Sequence, residues 1–194
     1  MKTKQTSQIV TREAWLNLAL DQLRPLFTAK ARATIPTDAR VSIGFPKGGS
    51  ARRSLGECWP RARSTDKVNE IFISPTLSDP MRMLDVLAHE AVHAVDDCKS
   101  GHKKEFKSVA QAIGLEGKMT ATVAGEELKA ELQNIIGRLP PLTHGALDLK
   151  GMKKQPTRLL KLECEACGMI IRTTSKWIEQ TGNPTCACGG HFHG

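Results

Sequence analysis

The chain predicts an α+β fold in two parts, and three observations carry that expectation. A His-Glu-x-x-His pattern, His89-Glu90-Ala91-Val92-His93, lies inside an apolar stretch with a helical period. Short runs of strand character, separated by Gly-rich and Arg-rich turns, precede it, and amphipathic segments follow it. Two close cysteine pairs, Cys164/Cys167 and Cys186/Cys188, stand beyond a Pro- and Gly-rich stretch.

Taken in order, residues 11–31 read as an amphipathic helix. Thr11 is its cap, Glu13 sits in the first turn, and Trp15, Leu16, Leu18, Ala19, Leu23 and Leu26 form the core stripe. Pro25 is expected to kink this helix, because it lacks a backbone donor. Strands are expected near residues 41–45, 55–59 and 68–74, in a small antiparallel or mixed sheet. Ser78-Asp79-Pro80 combines a capping side chain with Pro at the first helical position, so a helix should run over about 80–98. Leu84, Leu87, Ala88, Ala91, Val92 and Val95 give it a broad apolar face, which predicts deep burial. Lys99-Ser100-Gly101 reads as a reversal, followed by a helix over about 102–113 that Gly114 stops and another over about 125–137. Leu139-Pro140-Pro141 then breaks regular structure. The expected organisation is a domain over 10–139, a linker over 140–158 and a small module over 159–194.

At about 100° per residue, His89 and His93 fall one turn apart on one helix face, so both imidazoles can meet a single metal ion. A buried carboxylate and two buried imidazoles need partners, and a metal satisfies them directly. A catalytic zinc usually takes three protein ligands and keeps one position for water. His102, carried back by the reversal, is the favoured third ligand. Asp96 and the more distant Glu126 or Glu127 are the competitors, with Asp96 otherwise holding an imidazole tautomer. Glu90 is the candidate catalytic base.

Cys164-Glu165-Ala166-Cys167-Gly168 and Cys186-Ala187-Cys188-Gly189-Gly190 have the form of two metal knuckles, so Cys164, Cys167, Cys186 and Cys188 are expected to hold a structural zinc. A module of about 35 residues has too little core to fold alone, and a metal adds on the order of 10 kcal/mol. His191 or His193 is the substitute should one thiolate fall out of reach. Cys58 and Cys98, isolated in sequence, read as ordinary thiols.

The net charge is +8, with clusters at Arg52-Arg53, Arg61-Arg63, Lys99–Lys107 and Lys150–Lys161. Such a balance favours polyanionic partners, nucleic acid first. Arg172, Lys176 and Trp177 could together touch a phosphate and a base, although packing within its own module is the plainer role for Trp177. No apolar run reaches membrane-spanning length and Met1–Gln8 has no apolar core, so no membrane partner and a cytoplasmic location are expected. Oligomeric state is not legible here.

The helix with His-Glu-x-x-His, then Gly101-His102 with Phe106 four residues on, then a four-cysteine ribbon, resembles the SprT-like (Spartan-type) metalloprotease family. The resemblance spans about residues 10–115 and 159–190. It implies a zincin-like domain with a C-terminal zinc ribbon, one catalytic zinc on His89, His93 and His102, and Glu90 as the catalytic acid. The family's common Gly-His-Gly is Gly101-His102-Lys103 here, which alters the turn and spares the ligand. The implied activity is a zinc endopeptidase acting on proteins bound or crosslinked to DNA, with single-stranded DNA among the forms considered. In that chemistry Glu90 takes a proton from water and returns it to the leaving amine. The chain contains no Tyr, so the oxyanion would need zinc, a backbone N–H, or an arginine such as Arg52 or Arg53. The alternative is a non-catalytic DNA-binding zinc-ribbon adaptor in transcription or repair.

Overall fold

Helix α1 (Arg12–Ala31) is the first element of this computed structural model, which describes residues 10–46, 54–150 and 159–194. The Thr11 hydroxyl accepts from the Ala14 N–H at 3.1 Å, satisfying one of the orphan donors of the first turn. Trp15, Leu16, Ala19, Leu20, Leu23 and Phe27 form the buried face, whereas Leu18 is 45% exposed and leaves the expected stripe. The true stripe repeats every four residues, and Leu18 falls outside it. Helix α1 continues through Pro25 to Ala31. Arg24 fastens the chain beyond it, donating to the carbonyls of Ile35 and Pro36 at 2.7 Å.

Strands β1 (Arg40–Ile43), β2 (Gly56–Trp59) and β3 (Glu70–Ile73) form a mixed sheet in the order β1-β3-β2. The β1–β3 pair is parallel, and β2 runs antiparallel to β3 with Cys58 opposite Ile71. The parallel pair arises because the chain between β1 and β3 makes its turn through β2, which becomes an edge strand.

Helix α2 (Pro80–Val95) is capped by Asp79, which accepts from the Arg82 N–H at 2.7 Å. It ends three residues short of the expected limit, because Asp97 and Cys98 adopt φ of +58° and +61° and turn the chain away. Met83, Leu84, Leu87, Ala88, Ala91, Val92 and Ala94 are buried, and so are the polar Asp85 and Glu90. Helix α3 (Lys104–Ile113) ends at Gly114, and α4 (Glu126–Arg138) runs through Gly137.

Between α3 and α4 lies a hairpin that the periodicity does not announce, β4 (Leu115–Lys118) with β5 (Ala121–Ala124). Its connecting pair, Met119-Thr120, carries neither Gly nor Asn, the usual marks of a two-residue turn. Asp85 fixes the hairpin to α2: its carboxylate accepts from the Ala124 N–H at 2.8 Å and from the Arg82 guanidinium. Burial raises the Asp85 pKa, with Arg82 and the Ala124 N–H opposing.

The chain divides into two compact units, Met1–Asp148 and Leu149–Gly194. Within the first, Pro140 accepts from the Trp15 indole at 2.9 Å and Leu147 donates to Pro75 at 2.8 Å, so residues after α4 pack back onto it. Residues 151–158 of the expected linker lie outside the described residues. The second unit holds β6 (Leu160–Cys164), β7 (Ile170–Thr173), a short α5 (Ser175–Thr181) and β8 (Phe192–His193), in the sheet order β7-β6-β8. Leu162, Cys164, Cys186 and Phe192 are its small core. No described helix is long and apolar enough to cross a membrane.

Replacing Asp85 by Ala strands the buried Ala124 N–H and frees the hairpin from α2. The expected loss is about 1–3 kcal/mol of unfolding free energy, read as a lower urea midpoint.

Candidate metal centre

His89 and His93 stand one turn apart on α2, and His102 reaches them from the reversal before α3. The Nε2 atom of His102 lies 3.3 Å from that of His89 and 3.2 Å from that of His93. All three face one point through the same ring nitrogen, an arrangement that three neutral donors adopt around a cation. The helix expected to begin at His102 begins at Lys104, so His102 sits in the turn ahead of it.

Asp96 is not part of this cluster. Its carboxylate accepts from the Ser100 N–H at 2.9 Å, which closes the reversal that delivers His102. Glu126 and Glu127 are also elsewhere, paired with Lys129 and Lys30 on the solvent side of α4. Both are about nine-tenths exposed at the side chain, so neither approaches the imidazoles.

The residue that holds a tautomer is Thr122, on β5. Its hydroxyl lies 2.7 Å from His89 Nδ1, so an Nδ1–H donating to Thr122 leaves Nε2 with its lone pair free. The partner belongs to the hairpin, which explains why spacing along α2 could not point to it. Phe106 backs all three rings, with centroid distances of 5.0 Å to His89, 4.4 Å to His93 and 4.9 Å to His102. This apolar backing lowers the proton affinity of the histidines. Burial first, then the neighbouring imidazoles, lower His89 to about 3. Burial and His102 lower His93 to about 4 against the pull of Asp96, and burial lowers His102 as well. Neutral rings are the form that binds metal.

Glu90 is only 6% exposed and points toward β2. Burial, and to a lesser degree Glu57, raise its carboxyl to about 8, opposed by the Cys58 backbone N–H that donates to it. Gly56 makes this approach possible: a Cβ there would stand 2.7 Å from Glu90 Cγ and 2.7 Å from Val86 Cγ1. The site opens into a cleft of about 590 Å³, walled by residues 54–58 on one side and 120–122 on the other, with α2 between them. Arg82 lines it too and bears the cationic group nearest in kind to the arginines considered from sequence. Arg52 and Arg53 themselves lie outside the described residues. Cys58 and Cys98, far apart in sequence, have their sulfurs 3.5 Å apart at the edge of this cleft.

In the second unit Cys164, Cys167, Cys186 and Cys188 form a second cluster, with all four sulfurs within 4.8 Å of one another. Cys164 and Cys188 lie 3.5 Å apart, and Cys167 and Cys186 3.6 Å. Backbone N–H groups, that of Cys167 foremost, lower the Cys164 thiol to about 7, which favours the thiolate a metal needs. Gly190 lets backbone meet sulfur, since a Cβ would fall 2.7 Å from Cys164 Sγ. The cluster is complete without His191 or His193. Both sites are compatible with zinc: three imidazoles in one, four thiols in the other. Trp177, expected to pack within the module, is 55% exposed, with Lys176 Nζ 5.9 Å from its ring; Ile178 takes the inward place.

Two outcomes follow from this geometry. Thr122→Val removes the acceptor for His89 and should weaken zinc binding at the histidine site about 10–100-fold, measured by competition with a chromogenic chelator. In metal-free protein, Glu90 stabilises the fold fully below its ordinary pKa of 4.5, and this contribution is lost as pH rises through about 8. Metal-free Glu90→Gln should therefore gain melting temperature over wild type between pH 5 and 9, by an amount worth on the order of 3 kcal/mol at the alkaline end.

Comparison of the chain with family models, curated proteins and solved structures returned no match.

Proposed function

We propose that the chain is a zinc-dependent metallopeptidase of the SprT-like type, with a zincin-like catalytic unit, acting on proteins associated with or crosslinked to DNA. The observation that carries this reading is the convergence of the His89, His93 and His102 Nε2 atoms beside buried Glu90 in an open cleft. Three neutral nitrogen donors that leave a position for water are the ligand set of a catalytic zinc rather than a structural one. Zinc held there supplies Lewis acidity, which acidifies water and polarises a carbonyl.

The chain's own groups do the remainder. Glu90 accepts the proton of the attacking water and hands it to the nitrogen of the departing amine. Thr122 keeps His89 in the Nδ1–H form, and Phe106 excludes water from behind the rings. Strand β2 is an edge of its sheet and contributes residues to the cleft wall, which suits an extended polypeptide as substrate. Among the described residues that line the cleft, Arg82 is the arginine, and its N–H groups not engaged by Asp85 are donors for a developing oxyanion.

The nucleic-acid part of the reading rests on exposed basic groups. Lys99, Lys103, Lys104 and Lys107 flank His102, and the second unit exposes Arg172, Lys176 and Trp177. That exposed tryptophan is also what favours the second reading, a DNA-binding adaptor that holds two zincs without turnover.

Cleavage separates them. Purified protein incubated with casein, histone or itself, with and without single-stranded DNA, should show proteolysis that a chelator stops. Glu90→Gln should retain both zincs and lose about 10²–10⁴-fold in rate, while His102→Ala should lose the histidine-site zinc. Two zincs with no cleavage of any substrate would favour the adaptor.

A further inference from the structure

We propose that Cys58 and Cys98 are a redox-reactive dithiol that closes to a reversible disulfide and thereby constrains the cleft wall beside Glu90. The two sulfurs lie 3.5 Å apart, and the Cys98 thiol also donates to the Cys58 carbonyl at 3.4 Å. Cys58 belongs to the edge strand β2, Cys98 to the turn after α2, and both line the cleft, within reach of a small oxidant.

The surroundings hold Cys98 in this position. Asp97 and Cys98 are both in the left-handed region, a conformation that L residues with side chains seldom adopt. Asp97 is anchored there by the Arg61 N–H at 2.8 Å and the Asn69 amide at 3.0 Å, both donating to one carboxylate oxygen. The anchored turn directs the next side chain at β2. With the four cysteines of the second unit gathered into their own cluster, these two thiols are the pair left for oxidation.

The oxidant is a peroxide. One sulfur, as its thiolate, attacks a peroxide oxygen and becomes a sulfenic acid while the departing oxygen takes up the thiol's proton and leaves as water or an alcohol; the second thiol then displaces water from that sulfur and forms the S–S bond. Two thiols are oxidised and one peroxide is reduced. The sulfurs approach from 3.5 Å to about 2 Å, and the bond ties β2 covalently to the turn after α2, with any strain left after side-chain rotation falling on those two segments. The Cys58 N–H is the donor to Glu90, so strain on β2 is transmitted to the carboxylate. The effect on cleavage rests on the peptidase reading; the disulfide does not.

The test uses the zinc-loaded 194-residue chain treated with hydrogen peroxide and digested without reductant. Mass mapping should find the Cys58 and Cys98 peptides joined with loss of two hydrogens, separated again by dithiothreitol, and not joined in Cys98→Ser. Peptide cleavage by the oxidised wild type should fall about 10–100-fold and return on reduction, whereas Cys98→Ser should not respond reversibly to peroxide. Free Cys58 and Cys98 after treatment, or irreversible oxidation of one without a crosslink, would overturn the dithiol. A crosslink with unchanged cleavage would overturn its coupling to the cleft. Should the reduced protein cleave nothing, the peptidase reading fails and the mass map still decides the disulfide.

Discussion

The burial of α2 on almost every side is the constraint from which the rest of the first unit follows. A helix so enclosed carries Asp85 and Glu90 in its buried face, where each must find a partner inside the protein, and the half-buried His89 and His93 at the floor of the cleft. The partners come from different directions. β5 supplies the Ala124 N–H to Asp85 and the Thr122 hydroxyl to His89, while β2 supplies the Cys58 N–H to Glu90. Polar satisfaction of one helix therefore sets the positions of the two walls of the cleft.

Those walls differ in kind. Strand β2 is held by pairing with β3 and by a glycine that lets its backbone lie directly against Glu90. The β4–β5 hairpin is small, held by Leu115 and Ala124 in the core and by directed hydrogen bonds to α2. Asp85, by holding Ala124 two residues along β5, helps place Thr122 against His89. The reversal after α2 has a similar construction, with Asp96 closing the turn that brings His102 back and Asp97 tying it to the sheet side through Arg61 and Asn69. Structure and site are supported by the same groups.

The second unit solves the opposite problem. Its apolar core consists of Leu162, Cys164, Cys186 and Phe192 with a few flanking residues, too little to hold three short strands by burial alone. Four thiols gathered within 4.8 Å form a candidate metal site, and a metal bound there would stand in for a larger core. With so little interior to fill, Trp177 and Ile170 remain on the surface, exposed by 55% and 52%.

The α+β class, helix α2 with its two histidines and glutamate, the reversal before His102 and the four-cysteine cluster were all legible from sequence. Each depends on local regularities: the 3.6-residue period, a Pro after a capping Asp, and knuckle spacings that bring ligands together over a few residues. What the tertiary structure alone decided are the partners drawn from afar. Thr122 meets His89 across 33 residues, Cys58 meets Cys98 across 40, and Asp96 serves the turn rather than a metal. No periodicity along one element encodes which backbone or hydroxyl group of another element will satisfy it. That choice is made by packing, where the cost of leaving a buried polar group unpaired selects one arrangement from many.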